Sequence, residues 1–264
     1  MRIYELERAA AQHWQAPEQE WLGEWLLRAA AGFTGRANSA LPLGDPGVPL
    51  PEAVAIVADW YRRRGLPPMI AVPLPLGPDQ SAPGHPLDTF LAERNWVLPF
   101  GPILVMTAGI KDLPAPTVST TADTTADSGV QLDPEPDAAW LALYRFRGQE
   151  LPPIASTLLM SAPWQAFASV RREGRAVAVG RISVAGQWGV ITAVDVDAAC
   201  RRQGLATEIT AVLVAAAVSR GASQLLLQVE MDNASARTLY ARCGFRDSHR
   251  YHYRVPPGLP TLPI

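Results

Sequence analysis

One segment constrains this chain more than any other. Leu205–Ser219 sets Ile209, Val212, Leu213, Ala216 and Ala217 at helical spacing. Arg220 and Gly221 follow, a cation and a glycine where a helix C-terminus favours both. Residues 223–231, SQLLLQVEM, then form a continuous apolar run of strand length. A strand apolar on both faces must be covered on both, so this run predicts a central strand in a layered α/β or α+β sheet flanked by helices. The rest of the second half agrees with that reading. Helices are expected over 137–147 and 151–160, and an antiparallel meander of strands over 164–171, 175–184 and 189–196. A helix over 233–243, stopped by Gly244, and an alternating last strand over 250–255 complete it.

Composition bounds the function. The 264 residues suffice for one large domain or two small ones. The 48% hydrophobic content excludes a disordered chain, and a net charge of −2 gives no basic footprint for nucleic acid. The longest apolar run, 209–218, is about half the length of a membrane helix. The N-terminus, MRIYELERAA, carries charges where a signal peptide needs an apolar stretch. Cys200 and Cys243 make no disulfide framework, which points to a reduced, cytoplasmic protein. The histidines at 13, 85, 249 and 252 have no metal spacing, so no metal is expected. Residues 111–137 are rich in Thr, Ser, Asp and Pro and read as a linker. The expected division is a first domain over 1–110, a linker over 111–136 and a catalytic domain over 137–264.

Chemistry is concentrated in VDVDAACRRQGLAT, where a strand ends, a basic turn follows and a helix begins near Gly204. The first amides of a helix have no intrahelical partner and lie at the positive end of its dipole, a natural seat for a phosphate. Neither G-x-G-x-x-G nor a nucleotide P-loop is present, and taken alone the segment reads equally as an ordinary strand–helix turn. A second segment, NASARTLYARCGF, follows a strand directly, with Asn233 as a good helix cap.

Together these segments resemble the GNAT superfamily of N-acetyltransferases. The family pattern Arg/Gln-x-x-Gly-x-Gly/Ala is complete in Arg201, Arg202, Gln203, Gly204, Leu205 and Ala206. Asn-x-x-Ala-x-x-Leu-Tyr followed by Gly-Phe is complete in Asn233, Ala236, Leu239, Tyr240, Gly244 and Phe245. The resemblance covers about 137–255 and implies an acetyl-CoA site. The pyrophosphate would lie on the turn from Arg202 to Thr207, and the pantetheine arm along Val194, Asp195 and Val196. Asn233 would touch that arm, and the Tyr240 hydroxyl would lie near the thioester sulfur. The implied reaction is direct attack by a primary amine, either a small molecule or a protein amine. Tyr240 is then the acid candidate, the alternative being a helix aromatic packed on the sheet. Glu230 is the base candidate, directly or through water; alternatively it is a strand-end carboxylate facing water or an arginine. Asp195 is a weaker base candidate. A CoA-binding sensor without turnover, or a small-amine enzyme of the mycothiol synthase type, are the competing readings.

The first half reads as a faded copy of the second. At an offset of 156, residues 52–65 match 208–221 and 69–74 match 225–230; after a longer loop, 91–97 match 239–245. Opposite RRQGLAT stands DPGVPLP, whose Pro49 and Pro51 have no amide hydrogen to offer a phosphate. His85 stands where Asn233 stands and Ala92 where Tyr240 stands, so no CoA is expected on this half. Residues 21–33 and 35–43 are expected as its leading strands. From the second of these, Arg36 and Asn38 could project to an acceptor between the domains, the alternative being cross-strand pairing.

Overall fold

The computed structural model describes residues 3–77, 85–113, 129–145 and 149–258. The first half runs α1 (Ile3–Ala11), β1 (Glu18–Leu22), β2 (Trp25–Ala29), β3 (Leu41–Pro42), α2 (Leu50–Arg62), β4 (Ile70–Pro75), α3 (Pro86–Glu93) and β5 (Ile103–Gly109). The second runs β6 (Val130–Asp133), α4 (Ala138–Leu143), α5 (Ile154–Leu159), β7 (Trp164–Arg172), β8 (Arg175–Ala185), β9 (Trp188–Val196), α6 (Leu205–Ser219), β10 (Gln224–Glu230), α7 (Ala234–Arg242) and β11 (Arg246–Arg254). The meander, helix, strand, helix, strand order of the second half thus recurs in the first.

The two halves share one sheet. Its order is β4-β11-β5-β10-β9-β8-β7-β6, and β1-β2-β3 form a separate antiparallel sheet. Each half places its last strand beside the other half's central strand. β5 lies between β10 and β11, antiparallel to both, and β11 lies between β5 and β4. The order β10-β5-β11-β4 is therefore symmetric about the β5/β11 pair. Ala40 joins the small sheet to the large one through a parallel bridge to Ile70. His252 and Arg254 on β11 both reach Asp88 at the start of α3, at 2.6 and 2.8 Å, binding the halves again.

Burial follows from this arrangement. Leu225, Leu227 and Val229 of β10 face a core that contains Ile209 and Leu213 of α6 and also Leu104 and Met106 of β5. Leu226 points to the opposite core, among Tyr251, Tyr253 and Met69. Helix α6 lies close on the sheet because glycine lets it: a Cβ at Gly180 would stand 2.6 Å from Ile209 Cγ2 and 2.9 Å from Leu213 Cδ1.

Three expectations need correction. Residues 21–33 are a hairpin arm rather than one strand, turning at Gly23 with φ +55°. Residues 35–43 are strand only at Leu41–Pro42, and Gly35–Ala37 is a 3₁₀ turn. The cause is Asn38, whose side chain accepts from the amides of Ala30 and Gly32 and donates to the carbonyls of Phe33 and Thr34. These bonds fold the loop back on itself, so it cannot extend. Within the stretch read as linker, Val130–Asp133 is an edge strand on β7, with Val130 buried; residues 114–128 lie outside the described residues.

A chain cut to residues 137–264 is expected to show no cooperative thermal transition, because β10 loses β5 and β11 loses both β5 and β4. A sharp melt of that fragment by circular dichroism would mean that β10 and β11 can close on each other.

Candidate active site

The site begins where β9 and β10 part. Their parallel ladder joins 188–191 to 224–227 and goes no further. A bulge in β9 explains the separation. Against β8, Arg181 is opposite Thr192 but Val179 is opposite Asp195, so β9 carries one extra residue. Ala193, within the bulge, has φ +54°, a strained backbone for a residue with a Cβ. Ala193 and Val194 stand outside both neighbouring ladders. Beyond them the strands diverge into a fork.

A cleft of about 430 Å³ fills the fork. Val194 and Asp195 line one side, and Gln228, Val229 and Glu230 the other. The first half closes it with Arg36, Phe100 and Ile103, and Tyr144, Tyr251 and Tyr253 form its aromatic wall. A second recess of about 530 Å³, lined by Asp195, Val196 and Arg201, opens on the other side of the β9 end. Asp195 thus borders both. Its carboxylate accepts from the Val196 amide at 2.8 Å, and burial raises its pKa. The Val196 carbonyl accepts from Arg201 Nε at 3.2 Å, so both polar backbone groups of Val196 are engaged.

Past β9 the chain makes the glycine turn and enters α6. Arg202 and Gly204 have φ of +61° and +86°, and Gly204 caps the helix with no side-chain acceptor. The Gly204 carbonyl accepts from Thr207 and Glu208, so the amides of Leu205 and Ala206 precede the intrahelical ladder. Gln203 is fixed from β7, its Oε1 accepting from Arg172 at 2.8 Å. The equivalent helix of the first half, α2, is capped by Pro49 and has proline in its first turn. Asn233 caps α7, accepting from the Ala236 amide at 3.0 Å.

The predicted residues divide into three groups, of which the β9 end, the glycine turn and the Asn233 cap form the first. Val194, Asp195, Glu230 and Arg36 meet in the cleft. Tyr240 does not line it: the ring is buried in the core with Val229, edge-on to Phe245 at 5.9 Å. Burial, with Cys243 nearby, holds its hydroxyl in the protonated form. Asn38 is turned inward, and its four hydrogen bonds leave nothing for a ligand. Glu230 is exposed at the end of β10. Among the described residues no group of His, Cys, Asp and Glu could hold a metal ion, and no helix is long and apolar enough to cross a membrane.

Sequence reading missed the polar centre behind the cleft. Arg181 is fully buried and donates to the carbonyls of Leu159 and His13 and the hydroxyls of Ser183 and Thr192. Burial and nearby Arg36 pull its pKa down to about 9. His13 is buried beside it with Nδ1 3.0 Å from Ser183 Oγ, and burial followed by Arg181 lowers its pKa to about 4. The contacts that bring them together, His13 with Ser183 and Arg181 with the His13 and Leu159 carbonyls, span distant parts of the chain, so no local signal exposed them. Tyr251 and Tyr253 did leave one: alternation in RYHYRV puts them on a single face.

Comparison with known proteins gives a consistent picture. The family described as "Probable histone acetyltransferase Rv0428c C-terminal" matches residues 1–254. The chain is 28% identical over 259 residues to the uncharacterized N-acetyltransferase YobR of Bacillus subtilis (strain 168), covering 96% of this chain and 98% of that one. It is 35% identical over 148 residues to the probable histone acetyltransferase Rv0428c of Mycobacterium tuberculosis, covering 55% of this chain and only 39% of that protein. Among solved structures, a GCN5-related N-acetyltransferase from Kribbella flavida superposes with a TM-score of 0.67 at 18% identity, over 97% of this chain and 96% of that one. A tandem GNAT protein from the clavulanic acid biosynthesis pathway superposes with a TM-score of 0.60 at 13% identity, over 94% and 86% of the two chains. At these identities the likeness establishes the fold.

His13 should make stability depend on pH. Its folded pKa lies below the ordinary 6.5, so its contribution is complete above that pH and is lost as pH falls toward 4. The full loss is about 3 kcal/mol. Denaturant titrations at several pH values should show His13→Gln losing less stability than the parent between neutral pH and pH 4. Parallel curves for the two proteins would contradict a neutral buried imidazole.

Proposed function

The chain belongs to the family of the probable histone acetyltransferase Rv0428c C-terminal region and is an N-acetyltransferase of the GNAT type; from that premise we propose that it transfers an acetyl group from acetyl-CoA to a primary amine by direct attack. The observation that carries this reading is the fork beside the start of α6, which has no side-chain cap. Leu205 and Ala206 offer amides at the positive end of a helix dipole, with Arg201 and Arg202 adding charge, which suits a diphosphate. Gly204 supports that use because its φ of +86° admits the turn and no side chain hydrogen-bonds to the helix start as a cap. Gln203 and Thr207 flank the same turn. Ala193 and Val194, outside both ladders, leave a strand edge for an extended arm, and Val194 is the main-chain position we assign to it. Val196 and Asp195 wall the arm instead, since the Val196 amide is already held by Asp195. The Nδ2 of Asn233 is the group left for the arm, because Oδ1 serves as the cap.

Acetyl-CoA supplies a thioester, which a neutral amine can displace. An alkylamine is mostly protonated near neutral pH, so the site must take up a proton. Glu230 lines the cleft and faces solvent, which suits a base working through water. Tyr240 is the proposed acid for the departing thiolate. Its hydroxyl is kept protonated by burial.

Calorimetry on the intact chain should detect acetyl-CoA binding, and Gly204→Val should weaken it at least about tenfold by straining the turn and covering the amides. Silence from the parent protein would overturn the reading. Tyr240→Phe and Glu230→Gln should each lower kcat on the order of 10²-fold with acetyl-CoA affinity retained. A parental rate for either variant removes that residue from the proton transfers.

A further inference from the structure

We propose that Arg36 anchors a carboxylate of the acceptor, so that the acceptor is a small amine carrying an acid group, an amino acid in the general sense, rather than a lysine on a protein tail. The inference rests on the acetyl-transfer reading above and adds the acceptor's class to it.

The first argument is charge. Arg36 Nη1 donates to the Gln228 side-chain carbonyl at 3.0 Å, and no carboxylate pairs with the guanidinium among the described residues. It stacks over Trp14 at 5.0 Å, and Arg181 lies over the same indole at 5.5 Å. Every oxygen that Arg181 reaches is neutral. Two guanidiniums around one ring, one of them fully buried, concentrate positive charge at the Trp14 side of the cleft, across from Asp195 and Glu230. Only Arg36 of the two lines the cleft. An anion entering there meets a planar fork able to form two parallel hydrogen bonds with a carboxylate.

The second argument is rigidity. Arg36 stands on the turn that Asn38 folds back, and that turn is pressed on β11: a Cβ at Gly35 would lie 2.8 Å from Tyr253 Cζ. Trp14, which carries the guanidinium, is itself held by its Nε1 donating to Thr34 Oγ1 at 3.0 Å. A cation fixed in this way orients a ligand, whereas a mobile surface arginine only attracts one.

The third argument is spacing. Gln228, which holds Arg36, and Glu230, the proposed base, are two residues apart on β10 and share a face. That step is about 7 Å along a strand. A molecule gripped at Arg36 therefore brings an amine a few bonds away to Glu230, which is the geometry of an amino acid.

The test compares amino acids with their own carboxamides as acceptors for the full chain, with a lysine-containing histone-tail peptide alongside. The parent should favour each accepted acid over its amide by about 10–100-fold in kcat/KM. In Arg36→Met that ratio should collapse toward one, and Arg36→Lys should restore part of it. Without acetyl-CoA, the accepted amino acid should raise the parent's Tm and its amide should not. If acetyl-CoA binds but acids and amides react alike, or the peptide is the better acceptor, the Arg36 assignment falls and the cofactor reading stands. If acetyl-CoA does not bind at all, the cofactor reading falls and takes this one with it.

Discussion

The reciprocal insertion of β5 and β11 is the constraint on which the rest of this molecule depends. Each strand is the last of its own half, and each satisfies its backbone hydrogen bonds on strands of the other half. An isolated half would leave β10 or β4 with an open edge, which is costly to bury and prone to pairing with another chain. The exchange also carries apolar side chains across, since Leu104 and Met106 of β5 complete the core under α6. The first half, whose helix start is blocked by Pro49 and Pro51, is therefore an integral part of the sheet that carries the chemistry.

The same exchange builds the cleft. β10 is held on one side by β5 along its whole length, so it cannot follow β9 when the bulge at Ala193 turns that strand away. The fork is the result of one strand being fixed and its neighbour being bent. β11 brings Tyr251 and Tyr253 beneath the fork, and the turn bearing Arg36 rests on Tyr253. A strained backbone residue, a gap in a ladder and a set of titratable side chains thus coincide at one place, the usual signature of a functional site.

Legibility in the sequence varied with the range of the interactions involved. Helix α6 agrees with its expected bounds because periodicity, Gly204 and Arg220–Gly221 are all local signals. Strand β10 was equally plain, since burial on both faces writes an unbroken apolar run. The polar loop at 35–43 misled for a physical reason. Its shape comes from Asn38 reaching backbone groups several residues away, and an asparagine in a loop does not announce which groups it will reach. Tyr240 was legible as a motif position, but its place in the core among Val229 and Phe245 depends on how α7 lies on the sheet. Glu7 and His249, buried together at 2.7 Å, come from the two ends of the chain and carry no pattern at all.

By itself the sequence determined the layered α/β class, the recurrence of one element order in both halves, and the glycine turn at the start of α6. All three follow from periodicity and from the conformational demands of glycine and proline, which act within a few residues. Tertiary structure alone decided that the halves would exchange strands, that β9 would bend away from β10, and that Arg36 and Arg181 would share Trp14. Those outcomes depend on backbone pairing and charge proximity between segments far apart along the chain, where no local residue preference reaches.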